Sequence, residues 1–504
     1  MVERHDRVRW GISIAVAVAA CLLVRASPDW TADDAYIVAR YAQNLARHGS
    51  LSWNPSGPPV EGITGLLLTL VESIVFAFGG SGVLAARLLG GAAFVVSAVL
   101  VPWIAHELRP SWWFGAASAV VFVFAGEHAP HLRSGLETEI YVAANLAGAL
   151  CLVRDARRGR ACSAALLATC NVLALTRPEG AVVAACLLGA SLWLARPTRP
   201  AVLRGVVGFL GPMGAVTAAR WLHFGSLLPN TFYAKRGAAN AEFLRDVWAM
   251  TSDSCLDLAA LGVLAAVVVV TRRGRFAVTR PERALLAIGV TVVGASALAY
   301  GRSDLVMNYG RRFAVHVFPW VVTSTLVLAT HMVDAMRSRD LGRMRVLVGA
   351  FALLALAHGV FVSFEARSAA STTAIMRGRL TAPMYDAARD WIVDHAPPTA
   401  TLACYPDAGR IPFETGLRSI DFGKLNDAYL ARTAKSPADV ADYFFRSMPD
   451  LLLLWKREGG LPYDEGAGAI LADERFARYR VGFAREQADG SGLYVYVLDA
   501  PADK

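Results

Sequence analysis

The chain has 504 residues, 55% of them hydrophobic and only 18% charged, with a mean hydropathy of +0.41; these values exclude an ordinary soluble domain and define a polytopic membrane protein. The formal net charge of +9 does not indicate nucleic acid, because most basic residues fall in short clusters between hydrophobic runs, as in cytoplasmic loops. Seven cysteines include no CxxC pair, and Cys21, Cys151, Cys162, Cys170 and Cys186 lie in or beside apolar runs, which excludes a disulfide framework and a zinc site.

The first apolar run, 10–24, carries Val18-Ala19-Ala20-Cys21, which resembles a lipoprotein cleavage box. Apolar residues continue past Cys21, and the following loops keep their register only if this segment stays as an uncleaved span. Next comes Thr31 to Gly49, TADDAYIVARYAQNLARHG. Thr31 or Asp33 can cap a helix that Gly49 ends. Ile37, Val38, Tyr41, Ala42 and Leu45 form an apolar stripe, with Tyr36, Arg40, Gln43 and Arg47 on another face. The spacing predicts a short amphipathic helix lying at the membrane surface. Asp33 and Asp34 at its start have two readings: they cap the helix and answer its dipole, or they do chemistry.

Runs long enough to span, or nearly so, lie near 10–24, 84–104, 112–126, 139–153, 161–175, 181–195, 203–221, 254–271, 284–300, 312–332 and 346–364, about 11 in all. Thr64 to Phe78 carries Glu72 at its middle. If that segment does not cross, six short loops on one side hold 20 arginines, and that side is cytoplasmic. Letting it cross inverts everything after it, so it is expected to lie on or dip into the outer face. The polar segments then all face the exoplasmic side: Asp33-Asp34, Val60-Glu61-Gly62, Glu127 to Glu139, Thr176 to Gly180, Leu228 to Arg236, and Gly301 to Arg312. The expected organisation is a membrane domain over 1–366 with a cytoplasmic N-terminus, then a small exoplasmic α/β domain over 367–504. In that domain Met384 to His395 reads as a helix, Ala400 to Cys404 and Leu451 to Trp455 as strands, and Tyr479 to Phe483 with Leu493 to Leu498 as a hairpin.

Several blocks could carry chemistry. Glu127, His128, His131, Glu137 and Glu139 are metal-capable types at no tight metal spacing, so a solvated loop competes with a divalent-cation site. Arg177 and Glu179 flank Pro178 at a membrane boundary and form either an interfacial ion pair or part of a polar cavity. Lys235, Arg236, Arg311 and Arg312 can hold a phosphate leaving group or snorkel to the bilayer surface. Tyr233 and Tyr309 can stack on a sugar or belong to the interfacial aromatic belt.

The opening DDAYIVARYAQNL…GSLSWNPSGPPVEGITGLL closely resembles the first exoplasmic loop of bacterial GT-C glycosyltransferases. Within that superfamily it is similar to the branch containing terminal arabinofuranosyltransferases. Further similar blocks follow in the family's order: SGLETEIY at 134–141, LTRPEG at 175–180, GSLLPNTFYAKR at 225–236, NYGRRFAVHVFP at 308–319 and PDAGRIPFETGLRSIDFGKLND at 406–427.

The resemblance implies an inverting transferase in the bacterial inner membrane. It would move a hexosyl or pentosyl unit from a polyprenyl-phosphate donor to a hydroxyl of a cell-envelope glycan, lipid or protein. It places the general base at Asp33, with Asp34 beside it, and lines the cavity with the blocks containing Glu61 and Glu137. Family members differ in needing a divalent cation, so no cofactor is assigned and the metal ligands stay unknown. A lipid-linked sugar flippase and a non-catalytic membrane subunit are the alternatives. Paired Gly/Pro-broken spans with charges near the bilayer midplane are the mark of a transporter.

Overall fold

A computed structural model describes residues 2–110, 112–195, 197–253, 278–305, 308–337 and 381–499. The chain divides into two units. One comprises Met1–Asp29, Arg87–Val216 and Gly237–Ile375, the other Trp30–Ala86, Thr217–Arg236 and Met376–Lys504.

The first unit is helical. The expected apolar runs fall on helices Val2–Ala26, Gly82–Leu108, Trp112–Phe124, Thr138–Arg157, Ala164–Thr176, Gly180–Ala195, Arg199–Phe224 and Arg280–Tyr300. Runs 254–271 and 346–364 lie outside the described residues. Among the described helices, Gly82–Leu108, Arg199–Phe224 and Arg280–Tyr300 are long and apolar enough to cross a membrane. Ala164–Thr176, with 13 residues, is about 20 Å long against a hydrocarbon core of about 30 Å. Trp10, Ile14, Val18 and Leu22 recur every four residues along the first helix and are all more than half exposed, a stripe of the kind that faces lipid.

The run 312–332 is not one helix. Arg312–Val315 ends, Phe318–Arg337 begins, and the segments Tyr309–Val315 and Phe318–His331 are bent by 57°. Pro319 explains the break: it has no N–H to give, and its ring would strike the carbonyl four residues earlier, at Val315, where the first piece stops. In the core, fully buried Trp320 donates its indole N–H to Asn145 Oδ1 at 2.8 Å. A satisfied polar contact between apolar helices fixes their relative position, and it brings the ends of Thr138–Arg157 and Arg312–Val315 together.

In the second unit, helix Asp33–His48 packs on helix Leu66–Ala77. The latter has 12 residues, about 18 Å, too short to span. Asp33–His48 ends as expected, with Gly49 at φ +66° returning its N–H to Leu45 O at 3.0 Å. Its start differs: Ala32 is the N-cap, and no side chain caps it. Arg40, on the face opposite the apolar stripe, is 3% exposed, because its guanidinium is covered by the carbonyls of Pro412 and Leu417.

The remaining residues form a five-stranded sheet of order β2-β1-β3-β5-β4: β1 Thr401–Tyr405, β2 Arg418–Asp421, β3 Leu451–Lys456, β4 Tyr479–Glu486 and β5 Gly492–Leu498. β1 runs parallel to β2 and β3, pairing Cys404 with Asp421 and Leu453, while β5 is antiparallel to β3 and β4. The continuous apolar Leu451–Leu454 suits β3, which is buried along those four residues. A helix over 381–395 precedes the sheet. The expected strands and hairpin are present, and β2 is an additional short edge strand.

Asp421, at the carboxyl end of β2, is 1% exposed and accepts from the backbone and side-chain nitrogens of Asn426, both at 2.8 Å. Burial is the main cause that pushes its pKa up to about 7. The native state therefore keeps this proton longer than the unfolded chain does. The associated stability is fully present below about pH 4 and is lost as pH rises through about 7, on the order of 4 kcal/mol. Melting curves of the purified protein between pH 4 and 8 should fall with rising pH, and Asp421→Asn should flatten that slope.

Candidate active site

The second unit holds the acidic pair. Asp33 is the first residue of its helix, and its carboxylate turns away from that helix. Oδ2 accepts the Gly409 N–H at 2.7 Å and Oδ1 the Arg410 N–H at 2.9 Å. A Cβ at Gly409 would collide with the backbone oxygen and the carboxylate of Asp33, so only glycine brings these amides close. Asp407 lies two residues earlier and accepts a hydrogen bond from the Tyr385 hydroxyl. The Asp33 carboxyl is held well above the usual carboxylate range: burial is the largest cause, the charges of Asp407 and Asp34 add to it, and the two amides oppose it. Each oxygen of an ionised carboxylate has two lone-pair directions, so Asp33 keeps one on each oxygen for a further donor. Asp33 is half-buried, whereas Asp34 is buried.

Glu61, 5% exposed, accepts from Arg220 Nε at 2.7 and 3.0 Å. Burial raises its pKa and Arg220 pulls it back. Its backbone oxygen accepts the Asn230 N–H at 2.8 Å. Fully buried Asn230 donates its amide to the carbonyls of Lys424, Leu425 and Asp427, so VEGITG, LLPNTF and GKLND meet around one side chain. Two guanidiniums approach the Tyr233 ring, Arg432 at 4.4 Å and Arg236 at 5.3 Å. Lys235 sits half-buried beside them in sequence.

The first unit holds a second polar cluster. Arg177, 4% exposed, bonds Glu137 and donates Nε to Glu179 Oε1 at 2.6 Å. The Tyr300 hydroxyl donates to the same Glu179 oxygen. Arg312 lies 3.6 Å from Glu137, and His316 lies 3.6 Å from Glu179. Two guanidiniums thus face two carboxylates, and Arg177 is committed to both acids. Gly310 and Arg311 both have left-handed backbones, at φ +57° and +55°, which turns Arg311 toward Glu127 at 3.6 Å. For a non-glycine residue such as Arg311 that conformation is uncommon and strained.

The metal-capable block divides among other partners. His128 Nδ1 is 3.0 Å from Glu139, the His131 Nε2–H reaches Gly310 O at 3.2 Å, and Glu137 serves the arginines. Among the described residues no three such side chains gather as a metal site. The side chains of this block are held by one another, by Gly310 O and by the arginines rather than converging on one point.

Tyr385, Asp407, Gly409, Arg220, Tyr300 and His316 are functional candidates that the structure adds to those read from sequence. Asp407, Gly409 and His316 do lie inside the quoted blocks. Arg220 and Tyr300 sit in apolar runs, where an isolated polar residue is itself a signal.

This architecture, apolar helices with a small C-terminal sheet, is a fold shared with solved structures at low sequence identity. ArnT from Cupriavidus metallidurans, solved bound to undecaprenyl phosphate, matches at TM-score 0.56 and 13% identity, over 96% of this chain and 97% of that one. The Archaeoglobus fulgidus oligosaccharyltransferase, solved tethered with an acceptor peptide, matches at 0.55 and 12%, over 96% and 74%. The arabinofuranosyltransferase AftD from Mycobacteria matches at 0.53 and 15%, over 98% of this chain and 40% of AftD. Residues 374–496 match a family model described as a domain of unknown function, DUF8728. A comparison with curated proteins finds no match.

Proposed function

We propose that this protein is an inverting GT-C glycosyltransferase of the bacterial inner membrane. It takes a hexosyl or pentosyl unit from a polyprenyl-phosphate donor and transfers it to a hydroxyl of a cell-envelope glycan, lipid or protein at the exoplasmic face. The observation that carries this reading is the Asp33 carboxylate, aligned by two amides in a setting that raises its proton affinity. The acceptor hydroxyl gives its proton to Asp33 as its oxygen attacks the anomeric carbon. The bond from that carbon to the phosphate oxygen breaks, and the electron pair leaves with the polyprenyl phosphate. A single displacement inverts the centre.

Lys235, Arg236, Arg311 and Arg312 supply positive charge for the departing phosphate. Arg177, Glu137 and Glu179 organise the polar cluster around Arg312, and Glu61 and Tyr233 shape the sugar or acceptor site. The likeness to ArnT, a structure holding undecaprenyl phosphate, supports the lipid donor. About 11 spans, an N-terminus in the cytoplasm and an exoplasmic domain over 367–504 complete the reading.

The 57° break at Pro319 favours one rival, a lipid-linked sugar flippase, since broken helices mark transporter sites. Purified full-length protein, incubated with a panel of polyprenyl-phosphate sugars and envelope acceptors, should release polyprenyl phosphate and form a glycosylated acceptor. Movement of labelled donor across proteoliposomes without any such release would overturn the transferase reading.

A further inference from the structure

Asp33 and Arg40 are seven residues apart on one helix, about two turns, so their side chains leave the same face roughly 10 Å apart. Both reach the six-residue helix Arg410–Thr415. Asp33 takes the amides of Gly409 and Arg410 at its start. Arg40 donates to the carbonyls of Pro412 and Leu417 at its end, the latter at 2.7 Å. The same guanidinium donates to Trp53 O at 2.8 Å and Asn54 Oδ1 at 3.1 Å, and it lies 4.6 Å from the Trp53 ring centroid. Asn54 continues the tie by exchanging two hydrogen bonds with the Ser419 backbone, at 2.9 and 3.0 Å. A carboxylate thus meets the donor end of the short helix, and a planar fork of donors meets its acceptor end.

We propose that Arg40 is a positioning residue for the general base: by fixing segment 409–417 it holds the Gly409 and Arg410 amides against Asp33, making the C-terminal domain a working part of the active site. The proposal rests on the reading of Asp33 as the base. The other ionisable groups around Asp33 are Asp34 and Tyr36 on its own helix, Tyr385 on the helix over 381–395, Cys404 on β1, and Asp407. The Arg410 guanidinium is turned to Glu414 and Asp386. The two amides are therefore the donors that favour the ionised base, opposite the burial and acidic charge that disfavour it. Loosening them makes Asp33 harder to ionise.

The test uses the full chain in lipid nanodiscs with Arg40→Lys, which keeps the charge and loses the fork, and with Gly409→Ala, which displaces the amides and leaves Arg40 intact. Hydrogen exchange of the peptide spanning 409–417 should accelerate about tenfold in Arg40→Lys, with β1 and β3 still protected. The acidic limb of the transfer-rate profile should move to higher pH by on the order of one unit in both variants, with kcat reduced and donor KM unchanged. Unchanged exchange, or a lower rate with an unmoved limb in both variants, overturns the proposal. Full transfer by Asp33→Asn overturns the general-base reading instead, and the exchange result then judges the clamp by itself.

Discussion

Asp33→Asn should lower sugar transfer by about 10²–10⁴-fold, the range expected when a positioned general base is removed. The effect has two sources, which can be separated. The side-chain amide of asparagine cannot take the acceptor's proton, and its nitrogen would point a donor at one of the amides that Asp33 now receives. That second effect should cost about 1–3 kcal/mol of local stability, visible as a modest drop in melting temperature, and it does not by itself remove activity. Asp34→Asn should reduce transfer far less, because Asp34 is buried while Asp33 stays partly accessible. Released polyprenyl phosphate, measured at saturating acceptor, checks both variants. Equal losses in the two would mean that the pair acts as a unit, and full activity in Asp33→Asn removes it from the chemistry.

Arg177→Met should destabilise the helical unit by about 3–5 kcal/mol, read as a melting temperature lower by roughly 10 °C. Arg177 is 4% exposed and is bonded to Glu137 and Glu179, so truncation takes a counter-charge from buried Glu137 and from Glu179, whose side chain is 20% exposed. Arg312, 3.6 Å from Glu137, softens the loss at that carboxylate, and the Tyr300 hydroxyl softens it at Glu179. The penalty comes from unpaired charge rather than lost contact area. Adding Glu137→Gln to Arg177→Met should therefore recover part of the stability, and a double variant no better than the single one would contradict that account.

The helices were legible because lipid-facing segments must be apolar along their length, and that pattern is local. Asp33 was legible because two adjacent acids are rare in so apolar a chain. The burial of Arg40 is not legible in its helical spacing, since the carbonyls that cover it lie 372 and 377 residues away and no local pattern encodes them. The start of its helix, expected to be capped by Thr31 or Asp33, has Ala32 as its N-cap, and the Asp33 oxygens are taken by Gly409 and Arg410. Asp407 and Gly409 stood inside a quoted block, yet their roles depend on where Asp33 and Tyr385 come to lie. The four residues of β2 are too short for alternation to register. Pro319 did carry a visible signal for the break in 312–332, hidden by the hydrophobicity on both sides of it.

The hydrogen bond from Gly409 to Asp33 spans 376 residues, which sets an order of events during synthesis. At roughly 5–20 residues per second, the first-loop helix waits on the order of twenty to seventy seconds before its amide donors exist. Through that interval Asp33 lacks the Gly409 and Arg410 amides that hold it in the finished fold. The aligned carboxylate therefore arrives with the last part of the chain, so a nascent or truncated polypeptide has the acid without the two amides that orient it.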